Sequence, residues 1–476
     1  MTQRVGCILT LFFALFYQPS SALAASSEHF LDGAVLSPLW MIPFVCMLLS
    51  LALMPLLTPH FWHNHFGKIA LFWAAAFAVP CALVFGPGMA AYLVIHAMLL
   101  EYVPFILLMF CLFTVSGGIC VTGDLVGTPR VNLLILLLGT ILASWMGTTG
   151  ASMLFIRPLL RANAHRQYRV HSVIFFLFLV ANIGGALTPL GDPPLFLGFL
   201  KGVSFFWPTT HLFAKTLVLS TLLLVLYFAL DTYLFNREGR PEAPRDEDSP
   251  PEKLRLLGTV NLLLLLGVVG AVLLSGTWKP GVSFDIYGTE VELQNAVRDA
   301  FMVVIALASL GLTKAEYRAM NSFNWEPILE VAKLFVGIFI SMAPVVAILQ
   351  AGEQGKLAPV IALLSDEGGQ PVNIMYFWLT GCLSFFLDNA PTYLVIFNTA
   401  GGDPALLMGE WADTLAAIST GTVFFGAITY IGNAPNFMVR SIAVNQGVPM
   451  PSFFAYMGWS MSILFPCFAL LTFFFY

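Results

Sequence analysis

Gly185-Ala186-Leu187-Thr188-Pro189-Leu190-Gly191-Asp192-Pro193-Pro194 interrupts a long apolar stretch with glycines, prolines and a carboxylate. It returns as Gly426-Ala427-Ile428-Thr429-Tyr430-Ile431-Gly432-Asn433-Ala434-Pro435, with five of ten positions identical and two exchanging Leu for Ile. The offset is 426 − 185 = 241. A second pair of polar clusters repeats at almost the same distance: Thr148-Thr149-Gly150-Ala151-Ser152 falls against Asp388-Asn389-Ala390-Pro391-Thr392, and 388 − 148 = 240. A fixed internal period means a duplicated structural unit.

The surroundings of these clusters set the fold class. Apolar residues make up 58% of the 476 and charged residues 10%, against roughly 45–50% and about 25% in soluble domains. Many runs reach the ~20 apolar residues that cross a bilayer. The chain therefore reads as an all-α polytopic membrane protein embedded in a lipid bilayer. About ten spanning helices are predicted, at 36–58, 67–86, 98–121, 171–202, 212–235, 257–277, 296–312, 326–350, 413–440 and 451–474. An eleventh is added if the N-terminal signal stays uncleaved. The segments 131–162 and 373–400 are each broken at mid-length by a polar cluster and are predicted to be re-entrant hairpins. The net charge of −5 says little, because most charges sit in a few loops, and no basic patch with interleaved aromatics suggests nucleic acid.

The N-terminus has the parts of a secretory signal: Arg4, an apolar core at Ile8–Phe16, and the small-residue site Ala22-Leu23-Ala24. This predicts a signal peptide over 1–24, the alternative being an uncleaved helix. Either way, His29 onward starts outside the cytoplasm. Lys and Arg concentrate in cytoplasmic loops. With both hairpins re-entrant, the inside loops hold Lys68, Arg130, Arg157, Arg161, Arg166, Arg169, Arg237, Arg240, Arg245, Lys253, Arg255, Lys314, Arg318 and Arg440. The outside holds Lys201, Lys215, Lys279, Arg298 and Lys356. Two inverted repeats follow: 25–235 with a break at 185–194, and 257–476 with a break at 426–436, joined by a charged cytoplasmic linker at 236–256. Inverted repeats of this kind place their site between the halves near the midplane.

Broken helices in a bilayer need a reason. Pro193 and Pro194 remove amide donors, and Gly184, Gly185 and Gly191 permit backbone shapes that other residues resist. Freed backbone groups are tolerated only inside protein or against a water-filled cavity. Unwound carbonyls suit a cation and half-helix N-termini suit an anion. Proline kinks without a ligand are the bland alternative, and the shared offset of four clusters argues against it. The candidate ion-binding residues are Thr148, Thr149, Ser152, Thr188, Asp192, Asp388, Asn389, Thr392, Thr429 and Asn433. Asp388 is expected to be the main carrier of cation or proton, with Asp192 sharing the charge. A carboxylate that binds a cation when ionised and a proton when neutral gives antiport without further machinery. Glu330 and Lys333, an i, i+3 pair on one face, are coupling candidates or a structural ion pair. Glu326 reads as a cytoplasmic end or cap, and Glu101 as an interfacial residue beginning its helix.

Other features are quieter. Seven cysteines are scattered without paired spacing and read as small buried hydrophobes. His60, His63 and His65 fall in one short loop, with interfacial polarity favoured over a metal site. No H-E-x-x-H spacing or serine-nucleophile motif points to an enzyme. No cofactor is expected beyond the transported sodium and protons.

Asn182-Ile183-Gly184-Gly185-Ala186-Leu187-Thr188-Pro189-Leu190-Gly191-Asp192-Pro193-Pro194 resembles the signature of the ion transporter superfamily. That group includes NhaD-type sodium:proton antiporters, arsenite permeases, citrate–metal transporters and divalent-anion/sodium symporters. The likeness is strongest to a bacterial branch (CitMHS-like) whose members carry both sodium:proton antiporter and citrate transport names. The resemblance covers nearly the whole chain. It implies scaffold and transport domains, frequent homodimers, a bacterial inner-membrane location, and ions held at the hairpin tips and breaks. The dicarboxylate symporters carry Ser-Asn-Thr at both tips, where this chain has Thr148-Thr149-Gly150 and Asp388-Asn389-Ala390. Pro194 is followed by Leu195 where relatives carry Asn, and the second repeat keeps that residue as Asn436. The first departure favours sodium/proton antiport over its alternative, coupled symport of citrate or another carboxylate.

Overall fold

A computed structural model describes residues 31–241, 253–321 and 323–476, and Leu31–Tyr476 forms one compact unit. The signal-peptide expectation and most of the linker lie outside the described residues. Among those described, ten helices are long and apolar enough to cross a membrane. The protein is thus an all-α polytopic membrane protein. Two short antiparallel strand pairs accompany the helices: Cys120–Thr122 with Arg255–Leu257, and Ser283–Ile286 with Thr289–Glu292.

The ten are not the ten expected. Pro129–Met146, one arm of the first hairpin, qualifies, whereas the helix starting at Ala412 stops short at its break. The early boundaries also shift. Pro59–Val84 and Pro87–Ser116 are separated by only Phe85 and Gly86, because Gly86 takes φ +92° and Pro87 starts the next helix. The expected loop at 87–97 is therefore helical. His60, His63 and His65 lie in the first turns of Pro59–Val84 and not in a loop. Glu101 sits mid-helix in a π-helical stretch, Met98–Tyr102, and is buried within the protein, so it does not begin its helix.

Hairpin I pairs Pro129–Met146 with Thr148–Ala162 across a single residue, Gly147, at φ +80°. Hairpin II pairs Asn373–Ser384 with Asn389–Thr399. The first broken helix runs Val170–Leu179, a 3-10 turn at Ile183–Leu187, then Pro193–Leu200. The second runs Ala412–Phe425, a 3-10 turn at Gly426–Ile428, then Ala434–Asn445. The first break opens at Val180, several residues earlier than the expected 185. Both second half-helices begin with proline in their first turn, where its missing N–H costs nothing.

Burial grades from inside to outside. Every residue of His171–Leu179 is buried, while Leu71, Phe72, Val79 and Leu83 on Pro59–Val84 are exposed. Exposed apolar side chains on the outer helices, and on the first arms of both hairpins (Leu134, Ile141, Ile374), present a face that suits lipid.

Candidate functional site

The backbone of the two breaks takes the same extended conformation at equivalent positions, with ψ nearly identical. Thr188 and Thr429 are extended at φ/ψ −143°/161° and −126°/164°, and the N-caps Asp192 and Asn433 lie at −139°/142° and −154°/141°. Each threonine pins its break to a hairpin. Thr188 Oγ1 donates to Ser144 O, and Thr429 Oγ1 donates to Phe385 O at 2.6 Å. Each hydroxyl also accepts a backbone amide, from Leu190 at 3.2 Å and Ile431 at 3.3 Å. The offsets 429 − 188, 385 − 144 and 431 − 190 are all 241.

The same offset corrects the alignment of the hairpin tips. Their second helices start at Thr148 and Asn389, and 389 − 148 = 241. Asn389, not Asp388, is therefore the equivalent of Thr148, and Asp388 matches Gly147. Asp388 takes the role of an N-cap. Its side chain accepts from Ala390 N at 3.0 Å, it is half-buried, and Thr392 Oγ1 donates back to its carbonyl at 2.8 Å.

The centre belongs to Asp192. It is 1% exposed. Its Oδ1 accepts from Thr148 Oγ1 at 3.0 Å and Asn433 Nδ2 at 2.8 Å, and its Oδ2 accepts from Asn389 Nδ2 at 2.5 Å. Both hairpin tips and both breaks thus meet at one carboxylate. Four helix N-termini start at these residues, and their positive ends favour the ionised carboxylate. No ion pair to Asp192 exists among the described residues. A buried charge without an ionic partner is costly, so the site calls for a proton or a cation.

The free acceptors point the same way. In the orientation that gives Asp192 its donors, the amide oxygens of Asn389 and Asn433 have no hydrogen-bond partner among the described residues, and neither has Ser152 Oγ. Carboxylate, carboxamide and hydroxyl oxygens together form the donor set of a hard cation. Beside Asp192 lies a cavity of about 20 Å³, lined by Thr148, Thr149, Gly191 and Asp192 and by Leu108, Leu112, Phe113 and Phe196; Ser152, Asn389 and Asn433 are not in its lining. That is room for roughly one water-sized particle, and too little for a tricarboxylate.

Glu330 and Lys333 are not brought to this site. Lys333 is exposed, with Nζ 5.4 Å from the centre of the Phe66 ring, and forms no ion pair with half-buried Glu330 among the described residues. Their i, i+3 spacing sets a shared face but not a contact, and the Phe66 ring takes the ammonium instead. Glu326 is exposed beside His63, at 3.7 Å. Three contributors were not among the candidates. Asn182 Nδ2 donates to Asn436 Oδ1 at 2.7 Å, linking the two breaks, and Asn436 Nδ2 donates to Gly426 O at 2.8 Å and Thr429 O at 2.9 Å. Ser144 Oγ donates to Gly184 O at 2.5 Å. Asn182 and Asn436 flank the repeated decapeptide, which was the available signal; Ser144 offered none.

Comparison with known proteins gives one family. Its description is "Putative citrate transport", and it matches residues 33–476. Among curated proteins, the chain is 25% identical over 333 residues to an "Uncharacterized transporter" of Mycobacterium bovis and to one of Mycobacterium tuberculosis. It is 26% identical over 337 residues to a "46 kDa membrane protein" of Mycobacterium leprae. Each match covers 68% of this chain and 72% of the relative. With a match that runs through both hairpins and both breaks, the chain belongs to the citrate-transport family so described.

Proposed function

We propose that the protein is a secondary transporter of the bacterial inner membrane that exchanges sodium for protons at Asp192. The observation that carries this reading is the buried carboxylate with three hydrogen-bond donors and no ionic partner, held where both hairpins meet both breaks. Protonated, Asp192 is neutral and compatible with burial. Ionised, it is supported by the helix N-termini and offers one oxygen cluster to a dehydrated cation, together with Asn389 and Asn433. Proton and cation would use the same Asp192 oxygens, so each excludes the other. Asp388 is a second carboxylate one residue from Asn389, the hairpin II contact of Asp192.

The second reading is coupled symport of a carboxylate, favoured by the family description. One reconstitution separates the two. Proteoliposomes with an imposed pH gradient are given sodium, lithium or citrate, and proton flux and labelled citrate are followed. Antiport gives sodium-dependent collapse of the gradient without citrate. Citrate uptake driven by the gradient, with no sodium-dependent proton flux, replaces it with symport.

A further inference from the structure

The half-helix that begins beside Asp192 ends at Lys201, eight residues and about 12 Å away. At that far end lies a second, larger cavity of about 210 Å³. Its walls are Leu100, Leu197, Leu200 and Leu394, and its polar groups are His96, Glu101 and Lys201. Leu394 comes from hairpin II, so the cavity touches the helix of Glu101, the half-helix and a hairpin that all lead to the Asp192 site.

The polar groups are arranged with donors in excess. Lys201 Nζ donates to Glu101 Oε1 at 2.5 Å, and the two side chains are 28% and 11% exposed. An ammonium has three N–H donors, and Glu101 is the one acceptor the described residues give it. His96 Nδ1 is buried with no partner, a state a polar group tolerates only with a ligand or water in place. The π-helical stretch Met98–Tyr102 carries Glu101; such single-turn π segments are frequent at functional sites. Leucine walls around the Lys201 ammonium and an imidazole nitrogen that donates in one of its two tautomers match an organic anion with a hydrocarbon body better than a bare metal ion, which Lys201 repels.

We propose that this cavity docks a small carboxylate anion. Its carboxylate is held by Lys201 and His96, its carbon skeleton packs on the four leucines, and Glu101 competes with it for the ammonium. The proposal does not rest on cation exchange at Asp192, because no residue is shared.

The test uses the full-length protein in detergent, with citrate as its potassium salt and no sodium, and reads thermal unfolding against citrate concentration. Citrate is expected to stabilise the parent protein. Glu101→Gln frees the ammonium and lowers the apparent Kd several-fold. Lys201→Gln raises it more than tenfold. The double variant Glu101→Gln/Lys201→Gln leaves no charge unpaired, so it folds, and it shows no citrate response. Asp192→Asn responds as the parent does, which separates this site from the exchange site. The proposal is overturned by an absent citrate response in the parent. It is overturned equally by Glu101→Gln weakening citrate as much as Lys201→Gln, or by sodium alone stabilising the protein through Glu101.

Discussion

Changing Asp192 to Asn removes one charge and keeps the size of the side chain. Thr148 and Asn433 can keep an amide oxygen in place of Oδ1, while Asn389 Nδ2 would face the new Nδ2 and must turn its amide to offer its unpartnered oxygen instead. Sodium-dependent proton flux is expected to fall below detection, with the protein still monodisperse in detergent. Asp388 behaves differently because its visible work is capping. Asparagine caps helices as well as aspartate does, whereas alanine costs about 1 kcal/mol. Asp388→Asn should therefore keep its melting temperature and a reduced but measurable exchange, and Asp388→Ala should lose stability. Abolished exchange in Asp388→Asn with exchange surviving in Asp192→Asn would return the main role to Asp388. The residues at this scale were legible where they repeat: Thr148, Thr188, Asp192, Asn389, Thr429 and Asn433 all lie in the two repeated clusters. The ranking of the two aspartates was not legible. It depends on a one-residue difference in tip alignment, 240 against 241, which only the helix start at Asn389 resolves.

Within each break, two chain segments cross at a pair of glycines. A Cβ on Gly191 would lie 2.1 Å from Gly185 O, and one on Gly432 would lie 2.7 Å from Gly426 O. Neither Gly191 nor Gly432 has a positive φ, so the requirement is close approach and not the left-handed backbone suggested by the glycine-rich sequence. Backbone atoms cannot rotate aside as a side chain can. Gly191→Val should abolish transport, and Gly191→Ala should reduce initial flux more than tenfold. Gly432→Ala, with a longer contact, should be milder. Flux in proteoliposomes at matched protein density checks this, and normal flux in Gly191→Ala would remove the crossing from the mechanism. Helix breaks were readable because proline and glycine act locally. The π-helical stretch at Met98–Tyr102 was not, since it inserts a residue into an otherwise unbroken apolar pattern. Nor was the long helix Pro87–Ser116, whose start is set by one glycine at φ +92°.

For the molecule as a whole, two oppositely oriented halves give alternation between two sides by symmetry. The equivalent hydrogen bonds at offset 241 show matching local geometry, and they hold for parallel and inverted repeats alike. Direction comes from counting crossings. If each hairpin returns to the face it entered, every half has an odd number of full spans, and the second half starts inverted. If one hairpin spans, everything beyond it turns over and the basic loops divide between both faces. Single cysteines in a cysteine-free background decide between these arrangements. Arg130 and Arg161 are exposed near the two ends of hairpin I, and Gln370 and Asp403 near the two ends of hairpin II. A membrane-impermeant maleimide applied to intact cells should label cysteines at 370 and 403 and spare those at 130 and 161. In inverted membrane vesicles the pattern should reverse. Such a result makes the two hairpin tips approach Asp192 from opposite faces, so that Thr148 and Asn389 report on opposite solutions through one carboxylate. Labelling of 130 and 161 from different sides, or of 370 and 403 from different sides, means that hairpin spans, and a single shared carboxylate could then no longer be reached alternately by symmetry-related elements.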